Sequence, residues 1–376
     1  MSKPIKVGLI GYGKAARTFH LPFILPHKDD FELVAIYQRS PPTEGKQHCT
    51  VDFPDVKWYS DLDQFLGDKD VELVLVITPH RDDAHYLNAK AAVLANKHVV
   101  VEKPFTNNSK HAEELIELKN KTGKLLFPFQ NRRYDSDFLT LQKLVTNGAL
   151  GEMVDVQMHY DIDFPPWVAN SLKRAGPVWK PWTGMTNGIG CHTIDQALTL
   201  FGPPATVFAH NRTMADPSNT SGIEDTFDIY LTYPPEKRGL VVQVQTAVVS
   251  RLRNQLKYFA RGRDGTFIKF GQDMQEDHFN AGIKSTDPAF GVEPEDCKGL
   301  LVTSSRVHPN QQEKAGLWEG TIPTEKGNWH GYYRDVARAI RGDTAQYATA
   351  ETARNNIRII ELARQSWESG KRLKFD

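Results

Sequence analysis

An apolar run that ends in Gly-x-Gly and passes straight into a helical pattern constrains this chain more than any other stretch. It reads KVGLIGYGKAARTFH, residues 6–20. A short continuous apolar run reads as a strand buried on both faces, and such strands belong to parallel sheets covered by helices. The helix begins at once after glycines 11 and 13, with a small residue at 16. That pattern demands a tight turn whose backbone N–H groups lie at the positive end of a helix dipole. Gly11 permits the turn, Gly13 lets a phosphate approach the backbone, and Ala16 lets the helix pack on the strand. This strand–turn–helix setting is the context of a dinucleotide-binding fingerprint. The plain alternative is a tight strand-to-helix turn with no ligand.

The alternation continues. Apolar runs at 31–37, 71–78, 99–102 and 125–129 enclose helical patterns at 83–95 and 109–121. This predicts an α/β domain over residues 1–130, built on a doubly wound parallel sheet. The character changes after about residue 133. A helix is expected at 135–147, then β-type stretches at 152–161, 205–212, 225–233, 240–249, 255–261 and 266–270, interrupted by a helix at 192–201. Their polar/apolar alternation predicts a mainly antiparallel sheet, so residues 131–376 form a second, α+β domain. Two amphipathic helices at 328–341 and 350–368 close the chain and are free to pack back on the first domain. Residues 271–326, rich in Gly, Pro and charge, read as long loops.

Composition bears on partners. Lys plus Arg and Asp plus Glu number 46 each, so no net field draws a polyanion, and nucleic acid is not expected as a partner. No apolar run approaches the ~20 residues needed to cross a bilayer, so no membrane partner is expected. No signal-peptide pattern opens the sequence. Cys49, Cys191 and Cys297 are far apart and form no CxxC pair, which suits a cytoplasmic setting and predicts no metal site.

Three constellations carry chemistry. The second apolar run ends in Tyr37-Gln38-Arg39-Ser40, where NAD sites usually place a carboxylate that accepts from the ribose 2′-OH. A guanidinium there pairs instead with a 2′-phosphate. Gln38, Arg39 and Ser40 therefore predict NADP, with NAD as second choice, and Lys14 adds charge near the phosphates. A solvated arginine beside a Ser-Pro-Pro turn is the bland alternative. Lys103 follows the 99–102 run in Glu102-Lys103-Pro104. There it can bond a substrate hydroxyl and stabilise the oxygen as a carbonyl forms, although most lysines simply reach solvent. His192 and Asp195, three apart at a helix start, share a face. Imidazole suits proton shuttling, and Asp195 can orient it or bind a hydroxyl. A hydrogen-bonded histidine with a dipole-satisfying aspartate is an equal reading.

Gly11-Tyr12-Gly13, Thr78-Pro79 with His85, Glu102-Lys103-Pro104, and Gly-x-His-x-x-Asp-Gln at 190–196 resemble the Gfo/Idh/MocA family (glucose–fructose oxidoreductase, inositol dehydrogenase, rhizopine catabolism). The likeness runs in order over essentially the whole chain. The stretches NRRYD at 131–135 and HTIDQAL at 192–198 are most similar to the branch containing NADP-dependent scyllo-inositol dehydrogenases. The resemblance implies an N-terminal Rossmann domain and a C-terminal domain on a large open sheet that often joins subunits, hence a homodimer or homotetramer. It implies that Tyr12 and Ala15 join Gly11, Gly13, Lys14 and Ala16 at the cofactor. Thr78, Pro79 and His85 would line the cofactor cleft, with Glu102 along it. Lys103 would sit near both the nicotinamide and the reacting hydroxyl, and Pro104 would follow a cis bond. His192 would be the acid/base partner and Asp195 a substrate-binding or orienting group. Arg132 falls with the cofactor or the substrate. Tyr160, Trp179 and Lys180 fall in the substrate pocket, although the tryptophan equally suits packing.

The activity implied is hydride transfer between NADP and a secondary alcohol of a sugar or polyol. One position departs from the family: many relatives carry Asp four residues before the histidine, and this chain has Gly188. That keeps two alternatives open. One is a dinucleotide-binding transcriptional co-regulator that does not turn over. The other is an NADPH-dependent reductase of an aldehyde, imine or tetrapyrrole-like substrate.

Overall fold

Six short strands form the first sheet: β1 (Ile5–Ile10), β2 (Phe31–Tyr37), β3 (Lys57–Tyr59), β4 (Leu73–Val76), β5 (His98–Val101) and β6 (Leu126–Pro128). The structure is a computed structural model and describes residues 3–163, 165–216, 218, 220–237 and 239–376. The strands run in the order β3-β2-β1-β4-β5-β6, every neighbour parallel. All four residues of β4 are buried, as a parallel strand covered on both faces requires. The strand order reverses direction at β1/β4. In such sheets ligands bind beyond the C-terminal strand ends at that switch point. β3, only three residues long, carried too little pattern to be anticipated.

Two compact units divide the chain. The first holds residues up to Asn131 with Ala281–Pro288 and Trp329–Arg354; the second holds Arg132–Asn280, Ala289–Asn328 and Asn355–Asp376. In the first, the Trp329–Arg341 helix packs by its aromatic side. Trp329 meets the rings of Phe19 and Phe23, and Tyr332 Oη donates to Pro128 O at 3.0 Å.

The second unit carries β7 (Met153–His159), β8 (Thr206–Arg212), β9 (Thr226–Thr232), β10 (Val241–Thr246), β11 (Leu256–Gly262), β12 (Gly265–Phe270), β13 (Gly299–Thr303), β14 (Gln312–Lys314), β15 (Leu317–Ile322) and β16 (Leu373–Lys374). They form one ten-stranded sheet, β14-β15-β13-β12-β11-β7-β10-β9-β8-β16. Among the described residues of this sheet, only β7 and β10 pair in parallel. Strict alternation buries one face. Val207, Ala209, Ile229, Val242, Val244 and Met158 join one core with Ile194, Ala197 and Leu198 of the Cys191–Phe201 helix.

Residues 271–326, expected as loops, correct that expectation. They contribute β13, β14, β15 and the Gln275–Asn280 helix. The sequence hid them because β14 is Gln-Glu-Lys and fully exposed, so nothing apolar marks it. Backbone pairing to β15 makes it a strand. The Pro166–Ala175 helix was likewise not anticipated. Among the described residues, no helix is long and apolar enough to cross a membrane.

Candidate active site

In the first unit the site is a set of loops at the C-terminal edge of the parallel sheet. Gly11 has φ of 101°, and a β-carbon there would stand 2.6 Å from Ile77 O. Only glycine meets both demands. Its N–H donates to Tyr37 O at 3.0 Å, so the turn after β1 is tied to the end of β2. Gly13 is different: a β-carbon there meets nothing within 4 Å. Its side is open space, and helical backbone begins with the next residue. Ala16 is fully buried.

The residues present fit a dinucleotide. The helix N-terminus opens onto the space at Gly13. Thr78 Oγ1, at the end of β4, is buried with no hydrogen-bond partner, and a polar atom so placed requires a ligand or solvent to satisfy it. At the end of β2, Arg39 and Ser40 are exposed, as is Lys14. Gln38 is already engaged, its Oε1 accepting from Cys49 N at 3.0 Å. Tyr12 Oη donates to Asp52 Oδ2 at 2.6 Å, and Gln47 donates to the same oxygen. Burial first, then this bond, pushes the Tyr12 phenol up, so it stays protonated. Asp52 is an anion near the turn that the sequence reading overlooked, because it lies 40 residues beyond Tyr12.

Beyond β5 lies Glu102-Lys103-Pro104. The Lys103–Pro104 bond is cis. His85 is buried, with Nδ1 2.7 Å from Pro104 O and Nε2 2.7 Å from Thr78 O. It ties the loops after β4 and β5 together. Glu102 Oε2 accepts from Lys103 N at 2.7 Å, and Oε1 lies 3.0 Å from His20 Nε2. Burial alone would push Glu102 up. The His20 bond, helped by nearby positive charge, brings it below the usual carboxylate range.

In the second unit, His192 and Asp195 are both buried on the Cys191–Phe201 helix. Asp195 forms a two-pronged pair with Arg133: Nε to Oδ2 and Nη2 to Oδ1, each 2.7 Å. The two side chains are 3% and 2% exposed. Removing one partner of such a buried pair costs about 3–5 kcal/mol, since the other charge is left uncompensated. Asp195 therefore anchors the helix to the Asn131–Tyr134 turn, a job the sequence reading did not give it. Gln196 adds two further ties, donating to Arg132 O at 3.0 Å and accepting from Tyr258 Oη at 2.9 Å. Arg132 reaches Glu276 at 2.6 Å and lies 5.2 Å from the Tyr160 ring centroid. Lys257 lies over the same ring at 4.8 Å, so Tyr160 stands between two cations.

The turn before His192 is also braced. Buried Glu224 accepts from Thr186 N at 3.2 Å. A β-carbon at Gly188 meets nothing within 4 Å, so the place of the expected aspartate is open space. Trp179 has a cation beside its ring. The Arg364 guanidinium lies 4.5 Å from its ring and 4.7 Å from that of Trp367. Lys180 is exposed, over the Trp182 ring at 5.3 Å.

Known proteins match both units. The Gfo/Idh/MocA family model described as oxidoreductase family, NAD-binding Rossmann fold, matches residues 5–130. Its companion, the C-terminal alpha/beta domain, matches residues 142–375. The uncharacterized oxidoreductase C115.03 of Schizosaccharomyces pombe is 33% identical over 99% of this chain and 100% of its own length. The scyllo-inositol 2-dehydrogenase (NADP(+)) IolW of Bacillus subtilis is 35% identical over 96% of this chain and 93% of its own. Among solved structures, the putative oxidoreductase yvaA from Bacillus subtilis superposes with a TM-score of 0.83 at 32% identity, covering 100% of this chain and 99% of that one.

Proposed function

We propose that this chain, which belongs to the Gfo/Idh/MocA family of NAD(P)-binding oxidoreductases on both matched domains, is an NADP-dependent dehydrogenase of a secondary alcohol in a sugar or polyol. The observation that carries the reading is the Gly11–Gly13 turn, open at Gly13, at the switch point of a sheet whose β5 runs into the Glu102-Lys103-Pro104 loop. The inositol dehydrogenase among its relatives supports the substrate class.

When bound, the nicotinamide supplies the hydride acceptor or donor at its C4 carbon. The chain's residues supply charge and position. Lys103 Nζ holds the substrate oxygen as negative charge develops on it. The His192 imidazole takes the hydroxyl proton in oxidation and returns it in reduction. Asp195 keeps the helix carrying His192 in register through Arg133. Arg132 and Tyr160 offer a cationic and aromatic wall to a hydroxyl-rich ligand. Three buried free cysteines, Cys49, Cys191 and Cys297, agree with a reducing, cytoplasmic location.

Calorimetry with NADP, NADPH, NAD and NADH, followed by a panel of sugars and polyols read by reduced-nicotinamide absorbance, tests the reading. Arg39→Asp is expected to shift the NADP-to-NAD affinity ratio by about 10–100-fold towards NAD, because a charge-assisted contact is replaced by repulsion. An unchanged ratio would remove Arg39 from the ribose site. Binding with no turnover across the panel would favour a dinucleotide sensor.

A homodimer or homotetramer is proposed on the second sheet's open face. Phe208, Tyr230, Gln243, Gln157, Phe259, Ile268 and Leu300 pair in register across seven strands. All are half-buried, opposite the covered face. Neighbouring strands lie about 4.8 Å apart, so the row spans roughly 29 Å. Light scattering should give a multiple of the 42.5 kDa chain mass, and Phe259→Glu should return the single-chain mass. A monomer in the unsubstituted protein contradicts the assembly.

A further inference from the structure

Behind Lys103 runs a buried chain of hydrogen bonds. Glu102 Oε1 lies 3.0 Å from His20 Nε2. A carboxylate only accepts, so Nε2 carries a proton and donates it to Glu102. Tyr333 Oη lies 2.5 Å from Nδ1 and holds the ring from its other side. The other Glu102 oxygen accepts from the Lys103 backbone N–H at 2.7 Å. Two donors meet on one carboxylate: the His20 ring, which Tyr333 holds in turn, and the Lys103 amide.

Three separate elements meet here. His20 closes the helical turn that follows the glycine loop, Glu102 follows β5, and Tyr333 comes from the Trp329–Arg341 helix, 313 residues beyond His20. Pro22 gives the reason for the local backbone. It has no N–H to donate to the Thr18 carbonyl, and the helix widens into a π turn over Ala16–His20, a form frequent at functional sites. His20 and Tyr333 are fully buried. The His20 ring lies 4.1 Å from that of Phe129, which also meets Tyr332 at 4.9 Å and Tyr333 at 6.3 Å. This apolar wall keeps water from substituting for either bond, which strengthens the chain. A His–Tyr pair alone would be an ordinary core feature. Here its last acceptor is the residue before Lys103, and that acceptor grips the Lys103 amide.

We propose that His20, oriented by Tyr333, is a positioning residue for Lys103: it seats the Glu102 carboxylate on the Lys103 backbone amide and thereby fixes where the Lys103 ammonium stands. The proposal rests on the reading above that Lys103 holds the substrate oxygen. His20 touches no reacting atom itself.

The test compares His20→Gln with His20→Asn in the full-length protein. A glutamine can bring its Nε2 to the place of the imidazole Nε2, whereas asparagine falls one methylene short. On the substrate that the unsubstituted protein turns over best, His20→Asn should lose at least about tenfold in kcat, with KM and dinucleotide Kd within about threefold. His20→Gln should stay within about threefold of the starting kcat, and Tyr333→Phe should fall between them. Equal losses in the Gln and Asn variants, or none in either, would overturn the proposal. A second arm needs no substrate. Hydrogen exchange at the Lys103 amide should speed up by about tenfold in His20→Asn and not in His20→Gln. Equal exchange in all three proteins sinks the proposal. If the unsubstituted protein binds no pyridine dinucleotide, the functional reading fails, and the exchange arm still decides whether His20 holds the Lys103 backbone.

Discussion

Lys103→Ala is expected to lower turnover by about 10²–10⁴-fold while dinucleotide binding stays within a few-fold, because the ammonium is assigned to stabilise charge that develops only during reaction. The structure makes the substitution informative. Lys103 is half-buried, and its contact with Glu102 is made by the backbone N–H, which alanine retains. The fold should therefore survive, and circular dichroism and a melting curve should be nearly unchanged. Lys103→Arg should not restore activity. A planar, bulkier guanidinium cannot stand where a compact ammonium is held, and it never acts as an acid near neutral pH. Turnover within threefold of the unsubstituted protein in Lys103→Ala would remove this lysine from the chemistry, whatever the cofactor.

Local features of the site were legible in the sequence, and distant ones were not. The β1 turn could be read because tight turn, open approach and helix packing each require a particular small residue within six positions. The buried strands β1, β2, β4, β5 and β6 announced themselves as continuous apolar runs. The second sheet showed itself wherever alternation was long, as in β8 to β12, and vanished where strands were short or polar, as in β14. Contacts that hold the functional groups in place had no local signal. Arg133 and Asp195 lie 62 residues apart, and either reads as a surface charge on its own. Tyr333 sits on the aromatic side of an amphipathic helix, where packing would explain it fully. Asp195 shows the consequence: spacing alone placed it beside His192, to orient it or to bind a hydroxyl, and gave no sign of the buried guanidinium that both its oxygens bind. Trp179 is similar, since nothing near it in sequence pointed to Arg364 against its ring.

Gly13 offers the second large effect. A β-carbon at this position meets no protein atom within 4 Å, and its backbone lies outside the left-handed region that would require glycine. Gly13→Val should therefore fold and melt like the starting protein. Its branched side chain would fill the space in which the pyrophosphate must approach the helix N-terminus. Gly11→Val is a poor substitute, because it would drive a β-carbon into Ile77 O and damage the turn itself. The decisive measurement is calorimetric titration of NADP and NADPH into the unsubstituted protein and into Gly13→Val, each verified as folded. The account predicts clear binding heat with the first and at least about 100-fold weaker affinity with the second. No heat with either nucleotide in the unsubstituted protein, or equal affinity in both proteins, would contradict it.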